Sequence, residues 1–302
     1  MRVTFLGTGS AMPVADRVQT GLLVEAAPGD RSPLLVDCGA GVLHRLSQTD
    51  PGYEAVSTVL LTHHHLDHVS DLLALLKARW LAGEERLHVV GPPGTKALLD
   101  DLLDVGEFEY LDGRAEVSVR EVHAGTEFSL AGLDVEAFET RHSKPCLAYR
   151  FSDRESEAGG AGNEVGEREG ETAADGGDAA GDDPGRDPAA ADSTDDEPTD
   201  GGQVGGDFVF SGDSEAFAGL ANFAEGARVL AHDCSFPDEV DVDNHPTPTQ
   251  LGEALAGRDI DRVYLTHLYP HTEGRHEEML ESVTRHFDGD VRVARDGLRF
   301  EP

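Results

Sequence analysis

The stretch Leu60-Leu61-Thr62-His63-His64-His65-Leu66-Asp67-His68 sets the terms on which the rest of the chain is read. It crowds His63, His65, Asp67 and His68 into six residues at the end of an apolar run. Neutral imidazole nitrogens and a hard carboxylate oxygen at that density suit a zinc-type ion. Residues 56–61 are short, apolar and β-branched at their start, the pattern of a buried strand. Beyond the cluster, Val69, Leu72, Leu73, Leu76 and Trp80 share one helical face, and Gly83 can end that helix. His63 and His65 therefore fall in a strand-to-helix loop with side chains on one side, while Asp67 and His68 open the helix. One metal ion can take the first pair and a second ion the other.

The His63-x-His65-x-Asp67-His68 spacing resembles the signature of the metallo-β-lactamase superfamily. The resemblance implies an α/β (α+β) fold, a four-layer αββα sandwich of two similar halves, with residues 1–302 as one domain. Its remaining ligands must come from downstream. Residues 133–138 alternate as a strand and end at Thr140-Arg141-His142-Ser143. That architecture places a ligand just past a strand end, so His142 is expected as the third ligand of the first metal, a plain surface histidine being the alternative. Phe208-Val209-Phe210-Ser211-Gly212-Asp213-Ser214 reads as a strand, a glycine that permits a sharp turn and a carboxylate at its tip, with a helix expected over 215–224. Alone, Asp213 would read as an N-cap; beside the histidines it reads as a carboxylate bridging two metals. An internal echo supplies the last ligand. Val59-Leu60-Leu61-Thr62-His63 and Val263-Tyr264-Leu265-Thr266-His267 share Val-x-Leu-Thr-His, and two facing half-domains would bring both histidines to one rim. The expected set is His63, His65 and His142 on one ion, Asp67, His68 and His267 on the other, and Asp213 between them. Such donors suit two Zn2+, with Mn2+ or Fe2+ left open, about 3.5–4 Å apart and sharing a hydroxide.

Within the superfamily, Phe5-Leu6-Gly7-Thr8-Gly9 and Val36-Asp37-Cys38-Gly39 look like the opening of ribonuclease Z-type members. The glycines fit neither the dinucleotide fingerprint nor the P-loop, and a β-hairpin at a sandwich edge is the better reading. Asp37 would orient a ligand histidine from behind, with a capping or turn role equally open. Near the other end, Thr247, Pro248 and Gln250 form a helix start with a capping box. His245 lies outside that box. In the ribonuclease Z group a histidine at the matching place assists the phosphate or the leaving group, so Asp67, also a ligand, and His245 are the candidate catalytic residues.

Composition bounds the setting. The 302 residues carry a formal charge of −35, with Lys only at 77, 96 and 144. Self-repulsion of that size is screened at molar salt, where the Debye length falls to about 3 Å, and the composition resembles that of proteins from salt-loving archaea. A negative surface does not steer phosphate backbones inward. No stretch has the length of a membrane span and the first residues read as a strand, so a cytoplasmic protein is expected; a homodimer stays open. Cys38, Cys146 and Cys234 have neither disulfide-framework nor zinc-finger spacing. Residues 153–206 hold seventeen acidic and three basic residues and only Val165 and Val204 as larger apolar groups. That composition cannot offset chain entropy, so this acidic insertion is expected to be disordered within the one domain.

The resemblance implies hydrolysis, most closely a ribonuclease Z-like phosphodiesterase acting on a nucleotide, cyclic phosphate or RNA-end phosphodiester. Three departures speak against transfer RNA maturation. The acidic insertion stands about where tRNA-processing members carry a basic arm. The basic stretch near the amino terminus is reduced to Arg17, and Leu268-Tyr269-Pro270-His271 after the last ligand differs from that enzyme's pattern. The competing readings are a thioester or lactone hydrolase of the same fold and a non-enzymatic acidic scaffold. Replacing residues 156–204 by a short Gly/Ser linker is expected to leave melting temperature and small-substrate turnover close to those of the full chain, since each doubling of loop length costs only about 0.6 kcal/mol. A large loss of turnover would show that an essential arm had been removed.

Overall fold

A computed structural model of the chain describes residues 1–26, 32–154, 206–240 and 242–302. The expectation of disorder over 153–206 therefore falls, apart from its two ends, outside the described residues. The first half runs β1 (Arg2–Gly7), β2 (Gly21–Glu25), β3 (Leu34–Val36), α1 (Val42–Leu46), β4 (Thr58–Leu60), α2 (Leu66–Val69), α3 (Leu72–Leu81), β5 (Arg86–Gly91), α4 (Thr95–Asp104) and β6 (Glu116–Glu121). The second runs β7 (Glu127–Leu130), β8 (Leu133–Glu139), β9 (Leu147–Asp153), β10 (Phe208–Phe210), α5 (Ala218–Phe223), β11 (Val229–Asp233), α6 (Pro248–Leu255), β12 (Arg262–Thr266), α7 (His276–Thr284), β13 (Asp290–Val293) and β14 (Arg299–Phe300).

The strands form two seven-stranded sheets, ordered β14-β1-β2-β3-β4-β5-β6 and β13-β12-β11-β10-β9-β8-β7. Each sheet joins an antiparallel set to a parallel one: β1, β2 and β3 pair antiparallel before the parallel β3-β4-β5-β6 run, and β7 to β10 pair antiparallel before the parallel β10-β11-β12-β13 run. Period-two burial explains the layering. Val3, Phe5, Leu22 and Val24 point with Phe151, Phe208, Phe210 and Tyr264 into one core between the sheets. Leu23, Leu35, Val59 and Leu61 point the other way onto Leu72, Leu75 and Leu76 of α3, and Val209, Leu230, Val263 and Leu265 meet Leu251, Leu255, Met279 and Val283 of α6 and α7. The result is the expected four-layer αββα sandwich. At about 1.5–3 kcal/mol for each fully buried large apolar side chain, these three cores supply the main drive for the fold.

Element limits depart from the sequence reading where tertiary contacts intervene. The helix expected after the histidine cluster is broken into α2 and α3 at Ser70-Asp71. The Asp71 carboxylate accepts the Gly41 and Leu43 N–H groups at 2.8 and 3.0 Å, and its own N–H donates to the Cys38 carbonyl at 2.9 Å. Asp71 is thus shared between two helix starts. The helix expected over 215–224 begins only at Ala218, because the Glu215 N–H donates to the Arg141 carbonyl instead.

Gly39 sits where two backbones touch. A Cβ there would lie 2.1 Å from the Asp67 carbonyl oxygen, while the neighbouring Cys38 N–H donates to the His68 carbonyl at 2.7 Å. Gly39→Ala is expected to cost about 1–3 kcal/mol, the usual range for overpacking. Gly106→Ala, where an added Cβ meets nothing within 4 Å, should stay within about 0.5 kcal/mol of the parent. Denaturant midpoints of both variants check this.

Candidate metal centre

The ends of parallel strands carry the functional side chains. β4 runs out into Thr62-His63 and β12 into Thr266-His267, so the repeated Val-x-Leu-Thr-His segments occupy matching places in the two sheets. The loop after β4 contributes His65, the first turn of α2 contributes Asp67 and His68, and the β8–β9 loop contributes His142. Asp213 follows β10 through Gly212, whose φ of +57° and contact with Thr62 leave no room for a side chain: a Cβ would lie 3.0 Å from that of Thr62.

These residues meet. His63, His65, His142 and Asp213 form one group, and Asp67, His68, Asp213 and His267 a second, with the ligand atoms of each within 4.8 Å of one another. Asp213 belongs to both. Its Oδ2 lies 3.6 Å from His63 Nε2, 3.9 Å from His142 Nε2 and 3.4 Å from His267 Nε2, while Oδ1 lies 3.2 Å from His68 Nε2. His65 Nδ1 is 3.1 Å from His142 Nε2, and Asp67 Oδ2 is 3.1 Å from His267 Nε2. His64 turns away, its Nε2 set 2.8 Å from Thr95 Oγ1 at the start of α4.

Hydrogen bonds behind the rings select their tautomers. Thr62 Oγ1 donates to Asp37 Oδ2 at 2.8 Å, so in the neutral ring it is His63 Nδ1–H that donates to Thr62 Oγ1, at 3.0 Å. His68 Nδ1–H donates to Asp37 Oδ2 at 2.7 Å. In the other half the Ser235 hydroxyl lies 2.6 Å from Asp233 Oδ1 and 3.0 Å from the His267 carbonyl oxygen. Committed as a donor, it accepts from His267 Nδ1–H at 3.0 Å. Each ring then presents an Nε2 lone pair to the centre. Of the readings open to Asp37, the structure shows contact with His68; its φ of 59° also places it in a turn.

The donor atoms fit metal ions better than they fit one another. Nε2 of His63 and of His68 are buried yet have no hydrogen-bond partner of acceptable geometry, an expensive state for a polar nitrogen. Around a tetrahedral ion with bonds of about 2.0–2.1 Å, ligand atoms stand about 3.3 Å apart, close to the spacings here. One group offers three nitrogens and an oxygen, the other two nitrogens and two oxygens, so either could hold zinc and the second would also accept harder ions.

Asp233 was not singled out from the sequence. It accepts from His245 Nδ1 at 2.7 Å through Oδ2 and from Ser235 through Oδ1. Its signal was available: Asp233-Cys234 at the end of β11 repeats Asp37-Cys38 at the end of β3, each on the strand beside the one carrying Thr-His. His245 stacks on His267 with ring centroids 5.4 Å apart and 14° between planes, and lines a cleft of about 370 Å3 together with His65, Asp67, His142 and Asp213. Arg17 does not line that cleft; its guanidinium donates to Thr8 Oγ1 at 2.5 Å and to the Ala294 carbonyl at 2.6 Å.

The family described as Anti-Pycsar protein Apyc1 matches residues 1–154, half of the chain, including His63, His65, Asp67, His68 and His142. The chain belongs to this family. It is also 29% identical to the ribonuclease Z of Haloferax volcanii over 100% of this chain and 95% of that protein. Among solved structures, the metallo-β-lactamase fold protein YhfI of Bacillus subtilis superposes with a TM-score of 0.70 at 20% identity, covering 100% of this chain and 99% of its own. Human tRNase Z, short form, does so with a TM-score of 0.65 at 18% identity, covering 99% and 98%. The expected resemblance to ribonuclease Z-like members of the metallo-β-lactamase superfamily, and the fold it implied, are borne out.

Charge at the centre is finely opposed. Burial resists ionisation of Asp213, but His267, His68 and His63 outweigh it and hold its carboxyl well below the usual range. Burial likewise opposes the charge on His68, His267 and His245, yet the facing carboxylates raise all three, His245 to about 9. Burial lowers His63, His65 and His142. A raised histidine adds stability that is complete below its unfolded pKa of about 6.5 and is lost as pH climbs through the folded value. A lowered one adds stability that is complete above about 6.5 and is lost as pH falls. Chelator-treated protein is therefore expected to be most stable near pH 6.5 and to lose melting temperature between about pH 6.5 and 9. Protein loaded with zinc should show a smaller alkaline loss, because ligand histidines are neutral when bound and only His245, outside the ligand set, still gives up a proton there. Thermal melts across pH, with and without metal, check this.

Proposed function

We propose that the chain is a dinuclear metal-dependent phosphodiesterase acting on a nucleotide, a cyclic phosphate or an RNA-end phosphodiester. In this reading His63, His65 and His142 would hold one ion and Asp67, His68 and His267 the other, with Asp213 shared between the two groups. The observation that carries it is the Asp213 carboxylate, which belongs to both groups, its Oδ2 facing His63, His142 and His267 and its Oδ1 facing His68, while His245 borders the same cleft on a separate carboxylate. When bound, two such ions supply Lewis acidity and a water acidic enough to attack near neutral pH, its pKa falling from 15.7 to about 7. Zinc suits the donors, with manganese or iron as alternatives.

The chain's own residues do the rest. Asp37 and Thr62 on one side, Asp233 and Ser235 on the other, keep the ligand rings turned inward. Asp67 lines the cleft, where its carboxylate can both ligate and orient the attacking water. Asp233 accepts a hydrogen bond from His245 Nδ1–H and, with Asp213 and Asp67, raises the ring's pKa to about 9 against the cost of burial. At neutral pH His245 is then an imidazolium whose Nε2–H can steady a phosphoryl oxygen and give its proton to the departing alkoxide. A phosphodiester uses both offices. The acidic composition supports work in a salt-rich cytoplasm, and among the described residues no helix is long and apolar enough to cross a membrane. For residues 1–302 a single domain with an acidic insertion remains the proposed organisation.

Elemental analysis of protein purified without chelator is expected to give close to two metal ions per chain; one equivalent that stays unchanged on metal addition would remove the dinuclear reading. In molar potassium chloride with zinc or manganese, a bis-aryl phosphodiester should be hydrolysed faster than a thioester or a lactone, and the reverse order would move the chain to the alternative hydrolase class. His245→Ala should keep its metal and lose about 10²–10⁴-fold in turnover of substrates with poor leaving groups, and less with a nitrophenol that leaves without a proton. Equal losses on both would make His245 a phosphate-binding group, and loss of metal would make it a ligand.

A further inference from the structure

Of the residues after the last histidine, Leu268-Tyr269-Pro270-His271, Tyr269 walls the cleft, and none has a part in the chemistry above. Their backbone is held from both sides. The Leu268 N–H donates to the Thr8 carbonyl at 2.9 Å and the Tyr269 N–H to the Ser235 carbonyl at 3.3 Å, while the Tyr269 carbonyl accepts the Thr272 N–H at 3.0 Å. The Tyr269 ring is fixed as well. Phe236, itself only 8% exposed, stacks on one face with centroids 4.5 Å apart and 26° between planes, and His267 and His245 meet the ring edge-on at 5.8 and 6.0 Å. Half-exposed, Tyr269 lines the cleft beside Asp67, Asp213 and His245.

Two further features say what such a wall is for. No Lys or Arg lines the cleft among the described residues, so a substrate's anionic part is left to the metal ligands' ions and His245, and a second phosphate would find no cation there. The lip is apolar instead: Ala11 and Leu66 line it, and Leu66 is 77% and the adjoining Met12 46% exposed on an otherwise strongly acidic protein. Large exposed apolar side chains grouped at a cleft mark a binding surface.

We infer that Tyr269, backed by Phe236, is a specificity-determining residue that stacks against a planar aromatic group carried by the phosphoryl substrate. The inference rests on the phosphodiesterase reading and adds the class of organic group. A ring preset on a buried partner contributes stacking without losing side-chain freedom on binding, and aromatic stacking of a base is worth about 1–3 kcal/mol, or about 5- to 150-fold in affinity.

The test uses ligands that cannot be hydrolysed. Calorimetric titration of zinc-loaded protein in molar potassium chloride with phenylphosphonate and with methylphosphonate should show the phenyl compound bound about 5- to 150-fold more tightly. Tyr269→Phe should retain that ratio. Tyr269→Ala should bring it close to one while leaving methylphosphonate affinity and metal content unchanged. A ratio that survives in Tyr269→Ala, or equal binding of both compounds by the parent, overturns the inference and leaves the phosphodiesterase reading intact. A fall in methylphosphonate affinity in Tyr269→Ala matching that for phenylphosphonate makes Tyr269 a support of the metal site and likewise overturns it. A parent protein that binds neither phosphonate removes the phosphodiesterase reading and this inference together.

Discussion

One buried carboxylate constrains both halves of the molecule. Asp213 is 2% exposed and stands among imidazoles delivered by α2, by the ends of β4 and β12 and by the β8–β9 loop. A carboxylate so far from water is tolerated only with positive charge or strong donors close by. Every element that supplies one is therefore tied to the position of Asp213, and through it the two sheets are tied to each other. Gly212 pays the conformational cost of the turn, with a left-handed φ and no side chain to collide with Thr62.

Around that carboxylate the two halves use the same device with different reach. In each, an Asp-Cys pair stands at the end of one parallel strand and a Thr-His pair at the end of the next, and the aspartate reaches sideways to fix a histidine. Asp37 serves Thr62 and His68. Asp233 serves Ser235, and through it His267, but also His245. The halves thus diverge: one aspartate holds only a histidine of the central cluster, while the other holds one through Ser235 and His245 directly. Asp37 and His267 both sit at φ 59°, a costly backbone state for residues with side chains that persists where the surroundings demand it.

The acidic composition acts on a different scale. A formal charge of −35 works through the long-range field, which salt screens, whereas the centre works through contacts of a few ångströms among buried groups, which salt hardly reaches. Such a protein can carry an unfavourable surface for polyanions and still hold a phosphoryl group tightly at one point. The apolar lip of Ala11, Met12 and Leu66 belongs to the same division of labour.

What the sequence determined by itself is local. Period-two burial in β8, the capping box of Thr247 and Gln250 at α6, and the repeated Val-x-Leu-Thr-His segments all follow from spacing and side-chain chemistry, and the histidine cluster pointed to metal before any fold was known. Tertiary structure alone decided the rest, because those features depend on partners far along the chain. The break between α2 and α3 exists because Asp71 is shared with α1, and α5 starts late because Glu215 is bonded to Arg141. Asp233 became legible only when β11 lay beside β12 and brought its carboxylate to His245, twelve residues away, and Tyr269 only when Phe236 stacked behind it. Spacing along a strand or helix fixes which way a side chain points; which distant group it then meets is set by the packing of one sheet on the other.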